Sequence, residues 1–188
     1  MNPVIDAIRA RRTVKKMDAG RPVDREDVGT VIEAATWAPN HHLTEPWRFV
    51  VIQGEARARL GDALAAALSS FSGGQAAAER LEAERGKPLS APTVVALISR
   101  PGRAENVVAQ EEMVAAGAAL QNMLLAAQSL GLASFVRTGA HAYSQEVRNF
   151  LRMEGHETLV GMVYLGYASG PLPPGRRTPA LEKVTWME

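Results

Sequence analysis

The sequence lacks cysteine, long apolar runs and an excess of charge of either sign. Without cysteine, disulfide bonds, thiolate zinc sites, iron–sulfur clusters and cysteine nucleophiles are all excluded. No apolar run approaches the roughly 20 residues of a membrane span, and no signal-peptide core is found at the N-terminus. A net charge of +1 gives no overall field that would attract nucleic acid or an anionic membrane. These absences favour a cytoplasmic protein without nucleic-acid or membrane partners.

The composition is ordinary for a soluble globular protein, with 188 residues, 46% hydrophobic and 22% charged. Four segments have strand character, namely residues 47–52, 93–99, 132–136 and 158–164. Five have clear helical character, namely residues 3–10, 24–36, 55–68, 105–130 and 144–151. Since neither a repeat nor a linker interrupts this alternation, we predict a single α/β or α+β domain over residues 1–188.

Two segments are expected to stand apart from the core of this domain. Residues 71–90 combine the helix breaker FSGG with a short, charged, helix-prone stretch, which predicts a mobile surface excursion. The tail is rich in proline, so residues 170–188 are predicted to form an extended arm.

The long helix at 105–130 bears on the oligomeric state. Its centre, Met113 to Ala127, is apolar almost all round and is therefore predicted to be buried. The small residues Ala115 to Ala119 would let another backbone approach closely, and two-fold dimers are the commonest oligomers. We therefore predict a homodimer in which the arm also contacts the partner. The alternative is that this helix forms the centre of a monomer core.

A basic run is the first candidate for chemistry. Four cations fall within the six residues RRTVKK, 11 to 16, directly after the first helix. On an extended backbone alternate side chains share a face. Arg11, Thr13 and Lys15 would then present a guanidinium, a hydroxyl and an ammonium together, and these groups suit a phosphate. A solvated basic patch is the alternative interpretation.

A second Arg-Thr pair, Arg137-Thr138, follows a strand and precedes Gly139, which is a common place for ligand binding in α/β proteins. The loop APNHHLTEPW holds His41 and His42, but adjacent histidines cannot both face one metal from a helix or strand. HExxH is absent, so no metal site is expected. GxSxG, GxGxxG and GxxxxGK[ST] are also absent, which disfavours serine hydrolases and the classical nucleotide folds.

Taken in order, RRTVKK, APNHHLTEPWRFVVI, GLASFVRTGA and PLPPGRRTPALEKVTW resemble the nitroreductase family of FMN-dependent NAD(P)H oxidoreductases. The likeness covers essentially the whole chain and is greatest to the small members. Thr13 stands where the family pattern R-R-S-x-R has serine, and Glu45 stands where the loop pattern has glutamine. The resemblance implies an α+β nitroreductase-like fold, with a central, mainly antiparallel sheet flanked by helices. It also implies a homodimer with FMN at the subunit interface.

The resemblance further implies a cofactor site with the following residues: Arg11, Arg12, Thr13, Lys15, Trp37, His41, Val136, Arg137, Thr138 and Arg177. Arg11, Arg12 and Thr13 would bind the phosphate and ribityl end, and Arg177 would reach the phosphate. Lys15 would face the pyrimidine edge and stabilise the negative charge of the reduced flavin, while the remaining residues would contact the ring. No classical catalytic side chain is required, because the cofactor carries the chemistry.

The implied activity is ping-pong hydride transfer from NADH or NADPH, through FMN, to an electron-poor small molecule such as a nitroaromatic or a quinone. One alternative is other flavin chemistry on the same fold, either dehalogenation or an oxygen-dependent reaction. Another is a flavin-binding or storage protein with little turnover. Glu45 offers only acceptors where an amide is usual, and residues 71–90 are shorter than in larger members, so the acceptor and the preferred donor stay open.

Overall fold

A computed structural model describes residues 2–102 and 104–188, and within them the chain forms six α-helices and four strands. The helices are α1 (Pro3–Ala10), α2 (Arg25–Thr36), α3 (Ala56–Phe71), α4 (Ala78–Gly86), α5 (Ala109–Ser129) and α6 (Gln145–Phe150). The strands are β1 (Trp47–Gln53), β2 (Thr93–Ser99), β3 (Ala133–Arg137) and β4 (Thr158–Gly166). None of these helices is both long enough and apolar enough to cross a bilayer.

The four strands form one sheet in the order β1-β2-β4-β3, and every neighbouring pair is antiparallel. β2 lies in the interior of the sheet and is buried at every residue, because helices cover both faces. Its sequence is accordingly a continuous apolar run rather than an alternating one. The predicted fold, an antiparallel sheet flanked by helices, is confirmed.

The two faces of the sheet belong to separate hydrophobic clusters. Along β2, the side chains of Val94, Ala96 and Ile98 join one cluster, whereas those of Val95 and Leu97 join the other. This division follows from the two-residue period of a strand. The first cluster includes residues of α3 and α6, and the second includes residues of α2 and α5. The helices are therefore sorted by sheet face.

Helix α5 is not buried on every side within one chain. Ala116, Ala119 and Met123 are fully buried against the second cluster. On its outer side, however, Val114 is 68% exposed, and Gly117 and Gln121 are exposed as well. The expectation of burial all round is therefore wrong for the single chain, because α2 and the sheet cover only one side of this helix.

Residues 71–90 contain a helix that packs closely on the domain. A Cβ atom added to Gly61 in α3 would lie 2.2 Å from the carbonyl oxygen of Arg85 in α4. The two helix backbones therefore meet at a place where only glycine fits. The mobility of this segment stays a prediction, but α4 itself has a defined position on α3.

Gly61→Ala is expected to destabilise the protein by about 1–3 kcal/mol, since the added methyl group must push two helix backbones apart. Urea unfolding followed by circular dichroism measures the loss. Gly29→Ala is the matched control, because an added Cβ at Gly29 in α2 meets no atom within 4 Å. That control is expected to be neutral or stabilising by up to about 1 kcal/mol. Equal behaviour of the two variants would contradict the close packing of α3 and α4.

The arm begins where β4 ends and stays exposed from Ala168 to Glu188. Its first residues pair with the end of the basic run. Met17 forms an antiparallel β-bridge with Ala168, and the Ser169 amide donates to the Lys16 carbonyl oxygen. Beyond this point it contains one short 3₁₀ turn, Ala180–Lys183.

Candidate functional site

Three of the predicted cations, Arg11, Arg12 and Arg177, meet in one pocket of about 440 Å³ between α1, the middle of α5 and the arm. Among the described residues, the lining consists of Ile8, Arg9, Arg11, Arg12, Gln121, Gly175, Arg176 and Arg177. These residues include five arginines and no carboxylate, so an anion is the ligand that fits this pocket. We call it the basic pocket.

Thr13 and Lys15 line an adjoining pocket of about 490 Å³, whose opposite wall is the start of the arm. Between them Val14 is buried, and its amide donates a 3.0 Å hydrogen bond to the carbonyl oxygen of Ser134 at β3. The basic run thus lies extended beside β3, and Thr13 and Lys15 are exposed on either side of the buried Val14. The predicted common face of Arg11, Thr13 and Lys15 is observed only in part, because Arg11 lines the basic pocket together with Arg12.

Arg137 and Thr138 line a third pocket, of about 270 Å³, together with residues that the sequence analysis did not single out. Those residues are Glu84 and Lys87, from the end of α4 and the turn after it, and His141, from the turn after β3. Glu84 is buried, forms an ion pair with Lys87 and lies 3.3 Å from His141 Nδ1. We call this the Glu84 pocket.

Within the described residues, Arg137 Nε and Tyr164 Oη are buried beside the Glu84 pocket without a well-formed hydrogen bond, although the two side chains interact with each other. The Arg137 guanidinium carbon lies 5.4 Å from the centre of the Tyr164 ring, so the two side chains are neighbours. Burial, partly opposed by the nearby Arg137 charge, raises the pKa of Tyr164 to about 12. Buried donors without a well-formed hydrogen bond are costly, so this place fits a ligand that supplies a hydrogen-bond acceptor.

Val136 and Arg137 point to opposite faces of the sheet. Val136 packs against the α2–α5 cluster, whereas Arg137 lies near Phe135 and Tyr164, which belong to the α3–α6 cluster. Gly161 of β4 makes room on the Val136 side, because an added Cβ would lie 2.9 Å from Val136 Cγ1. The structure therefore separates two residues that the sequence analysis grouped together.

His41 lines a fourth pocket, of about 640 Å³, whose walls come from Pro39, Asn40 and the first turns of α5. Its Nδ1 atom lies 3.7 Å from the carboxylate of Glu111. Trp37 ends α2 and is 80% exposed, and its side chain lies outside the four pockets described above.

Glu112 anchors the loop that carries His41. Its carboxylate is 1% exposed and accepts hydrogen bonds from Thr44 Oγ1 at 2.7 Å and from the Gly102 amide at 3.1 Å. Sequence reasoning missed this residue, although an acid at the edge of an otherwise apolar helix is a detectable signal. Glu84, Lys87 and His141 left no comparable signal, because a charged helix-prone stretch and an isolated histidine are common on protein surfaces.

Comparison with known proteins shows which family this chain matches. Residues 8–167 match the profile of the Nitroreductase family. The Bacillus subtilis protein named "Putative NAD(P)H nitroreductase YfhC" is 27% identical over 183 residues, which cover 97% of this chain and 93% of that protein. The crystal structure of a nitroreductase-like family protein from Bacillus cereus has a TM-score of 0.87 and 26% identity, covering 100% of this chain and 97% of the other. A Desulfovibrio desulfuricans protein crystallised in complex with FMN has a TM-score of 0.74 and 25% identity, covering 100% and 98%.

Proposed function

Because the chain belongs to the nitroreductase family, we propose that it is an FMN-dependent oxidoreductase that uses NADH or NADPH to reduce an electron-poor small molecule. Bound FMN supplies the redox chemistry, since its ring can be reduced by NAD(P)H and reoxidised by an acceptor after the donor has left. The observation that carries the proposal is the basic pocket, with its five arginines and no carboxylate, next to the exposed Thr13 and Lys15.

The phosphate of FMN fits the basic pocket. A phosphate dianion is bound best by guanidinium groups, which donate paired, charge-assisted hydrogen bonds. Arg11 and Arg177 both line this pocket, one from the end of α1 and one from the arm. The Thr13 hydroxyl follows in the adjoining pocket and can donate to the phosphate or the ribityl chain.

The ring of FMN fits the Glu84 pocket by its hydrogen-bonding pattern. Along its pyrimidine edge a flavin presents one N–H group between two carbonyl groups. Arg137 can donate to a ring carbonyl group, and the Glu84 carboxylate can accept from the ring N–H. Because Lys87 is paired with Glu84, the cation that we propose for this edge, where negative charge develops when the ring is reduced, is Lys15. The pocket thus suits a flavin edge.

The protein is expected to purify with about one FMN per chain and to lose its yellow colour when NADH or NADPH is added without oxygen. A panel of nitroaromatic and quinone acceptors should then restore the colour, which gives the acceptor class and tests the ping-pong order. Bound flavin that neither donor bleaches would indicate a storage protein instead. No bound flavin, together with no binding of added FMN below the micromolar range, would refute the proposal.

We further propose that the protein is a homodimer with the cofactor near the subunit interface. The outer side of α5 exposes Val114, and α1 exposes Val4, Ile5 and Ile8 and buries none of its residues. Apolar side chains grouped in this way favour burial by a second copy. Val114 also lines the pocket of His41, so a copy that covers α5 would close that pocket.

Light scattering at low micromolar concentration is expected to give the mass of two chains. Val114→Glu should shift the mass toward one chain, because it places a charge in an apolar interface. Leu89→Glu is the matched control, since Leu89 is also exposed but lies in the turn after α4. A wild-type mass of one chain with flavin still bound would contradict the interface site.

A further inference from the structure

Arg12 differs from its neighbours in the basic pocket in where its N–H groups point. Its Nε donates to the carbonyl oxygen of Pro173 at 3.0 Å, and its Nη1 donates to the carbonyl oxygens of Arg9 and Arg11. All three acceptors are backbone oxygens, two at the end of α1 and one in the arm. These bonds use three of the five N–H donors of the guanidinium, so that most of its donors serve the backbone and the two on Nη2 remain.

The backbone of the arm passes close to this guanidinium at Gly175. A Cβ atom added to Gly175 would lie 2.5 Å from Arg12 Nη2 and 2.6 Å from its Cζ. Because the guanidinium is the far end of a flexible side chain, a methyl group at this position would push it away from the arm backbone. Two residues later the arm places Arg177 in the basic pocket.

Few other contacts could hold the arm at this point. Residues 168–188 are all exposed. Among the described residues, the side-chain hydrogen bond that joins the domain to residues 170–188 is the one from Arg12 to Pro173. Within one chain, a segment with so few attachments depends strongly on each of them, and the predicted contacts of the arm with a second copy would come in addition.

We propose that Arg12 is a positioning residue rather than a phosphate ligand. It latches the C-terminal arm to the end of α1 and thereby brings Arg177 into the basic pocket that Arg11 also lines. The inference rests on the proposed binding of FMN phosphate in that pocket. The role requires arginine, because a planar fork can reach carbonyl groups in several directions, whereas the single ammonium of lysine cannot.

Titration of the full-length apoprotein with FMN, followed by flavin fluorescence, tests the latch. Arg12→Ala, Arg12→Lys and Gly175→Ala are each expected to weaken binding as much as Arg177→Ala does, about tenfold or more. Gly175→Ala keeps every charge but displaces the guanidinium. The double variant Arg12→Ala/Arg177→Ala should bind no more weakly than Arg177→Ala alone, since both changes remove the same contact. If the affinity losses of the two single variants multiply in the double variant, or if Arg12→Lys binds FMN almost normally, the proposal is overturned and Arg12 recognises the phosphate directly by its charge.

Trypsin cleavage of the arm, without flavin, supplies a readout independent of binding. Arg176, Arg177 and Lys183 are exposed cleavage sites within it. Arg12→Ala, Arg12→Lys and Gly175→Ala are expected to speed this cleavage several-fold, whereas Arg11→Ala should leave it at the wild-type rate. An unchanged rate in all three latch variants would overturn the latch. Because this assay needs no cofactor, the latch can stand even if the proposed flavin function fails.

Discussion

Arg11→Ala is expected to weaken FMN binding by about 10- to 100-fold, the largest loss from any single change in the basic pocket. A charge-assisted hydrogen bond to a phosphate is worth on the order of 1.5–3 kcal/mol, and about 1.4 kcal/mol corresponds to a factor of ten. Arg11 is half-buried and lines the pocket, so solvent screens it less than the exposed cations of the arm. Titration of the apoprotein with FMN measures the loss.

Lys15→Ala is the matched control, since it removes a cation from the same basic run but from the adjoining pocket. It should weaken FMN binding less than Arg11→Ala and should make the reduction potential of bound FMN more negative, because the reduced ring loses a nearby positive charge. An unchanged reduction potential of bound FMN in the Lys15 variant would show that Lys15 does not stabilise the reduced ring. Equal affinity losses in both variants would show that overall charge, and not a specific phosphate contact, binds the cofactor.

Glu157→Ala is expected to lower the free energy of unfolding by about 3 kcal/mol, because it breaks a buried ion pair. The Glu157 side chain is 1% exposed and accepts two 2.8 Å hydrogen bonds from Arg48 and one of 2.9 Å from the Glu154 amide. Arg48 keeps 27% exposure, so water can partly replace the lost carboxylate. Glu79→Ala, at an exposed acid in the first turn of α4, is the control and should change stability by less than about 0.5 kcal/mol.

The effect of Glu157 should also depend on pH. Hydrogen bonds from Arg48 are the main cause that holds the pKa of Glu157 below its usual range. A carboxyl group with a lowered pKa in the folded state stabilises the fold above its unfolded pKa, about 4.3. It loses that contribution as the pH falls through the folded value. Urea unfolding of wild type and Glu157→Ala should therefore converge as the pH falls below about 4. A constant difference between pH 7 and pH 3 would contradict this account.

The local periodicity of the chain was enough to predict most of the fold. The apolar run at 93–99 predicts a strand covered on both faces, and β2 is one. Part of the alternation expected for the basic run is also observed, since Val14 is buried between the exposed Thr13 and Lys15, but Arg11 lies in a different pocket from them. These features follow from the sequence because neighbouring residues alone decide them, through the two-residue period of extended backbone.

The site residues show where local patterns stop being informative. In the sequence the two arginines of RRTVKK are equivalent cations, and both line the basic pocket. Only the position of the arm shows that Arg12 donates to a backbone carbonyl oxygen of the arm. The period of β3 by itself could have separated Val136 from Arg137. It could not have shown that the Arg137 side chain would lie beside Tyr164.

The sequence by itself determined the strands, the composition of the core, the absence of thiol chemistry and the family resemblance, since each depends on residue types at short spacing. Only the tertiary structure brought Glu84, Lys87 and His141 to Arg137, and only it left Val114 exposed on α5. The physical reason is that Glu84 and Lys87 lie about fifty positions from Arg137 along the chain. Their meeting depends on how closely two helix backbones pack, as α3 and α4 do at Gly61, and packing of that kind leaves no periodic signal in the chain.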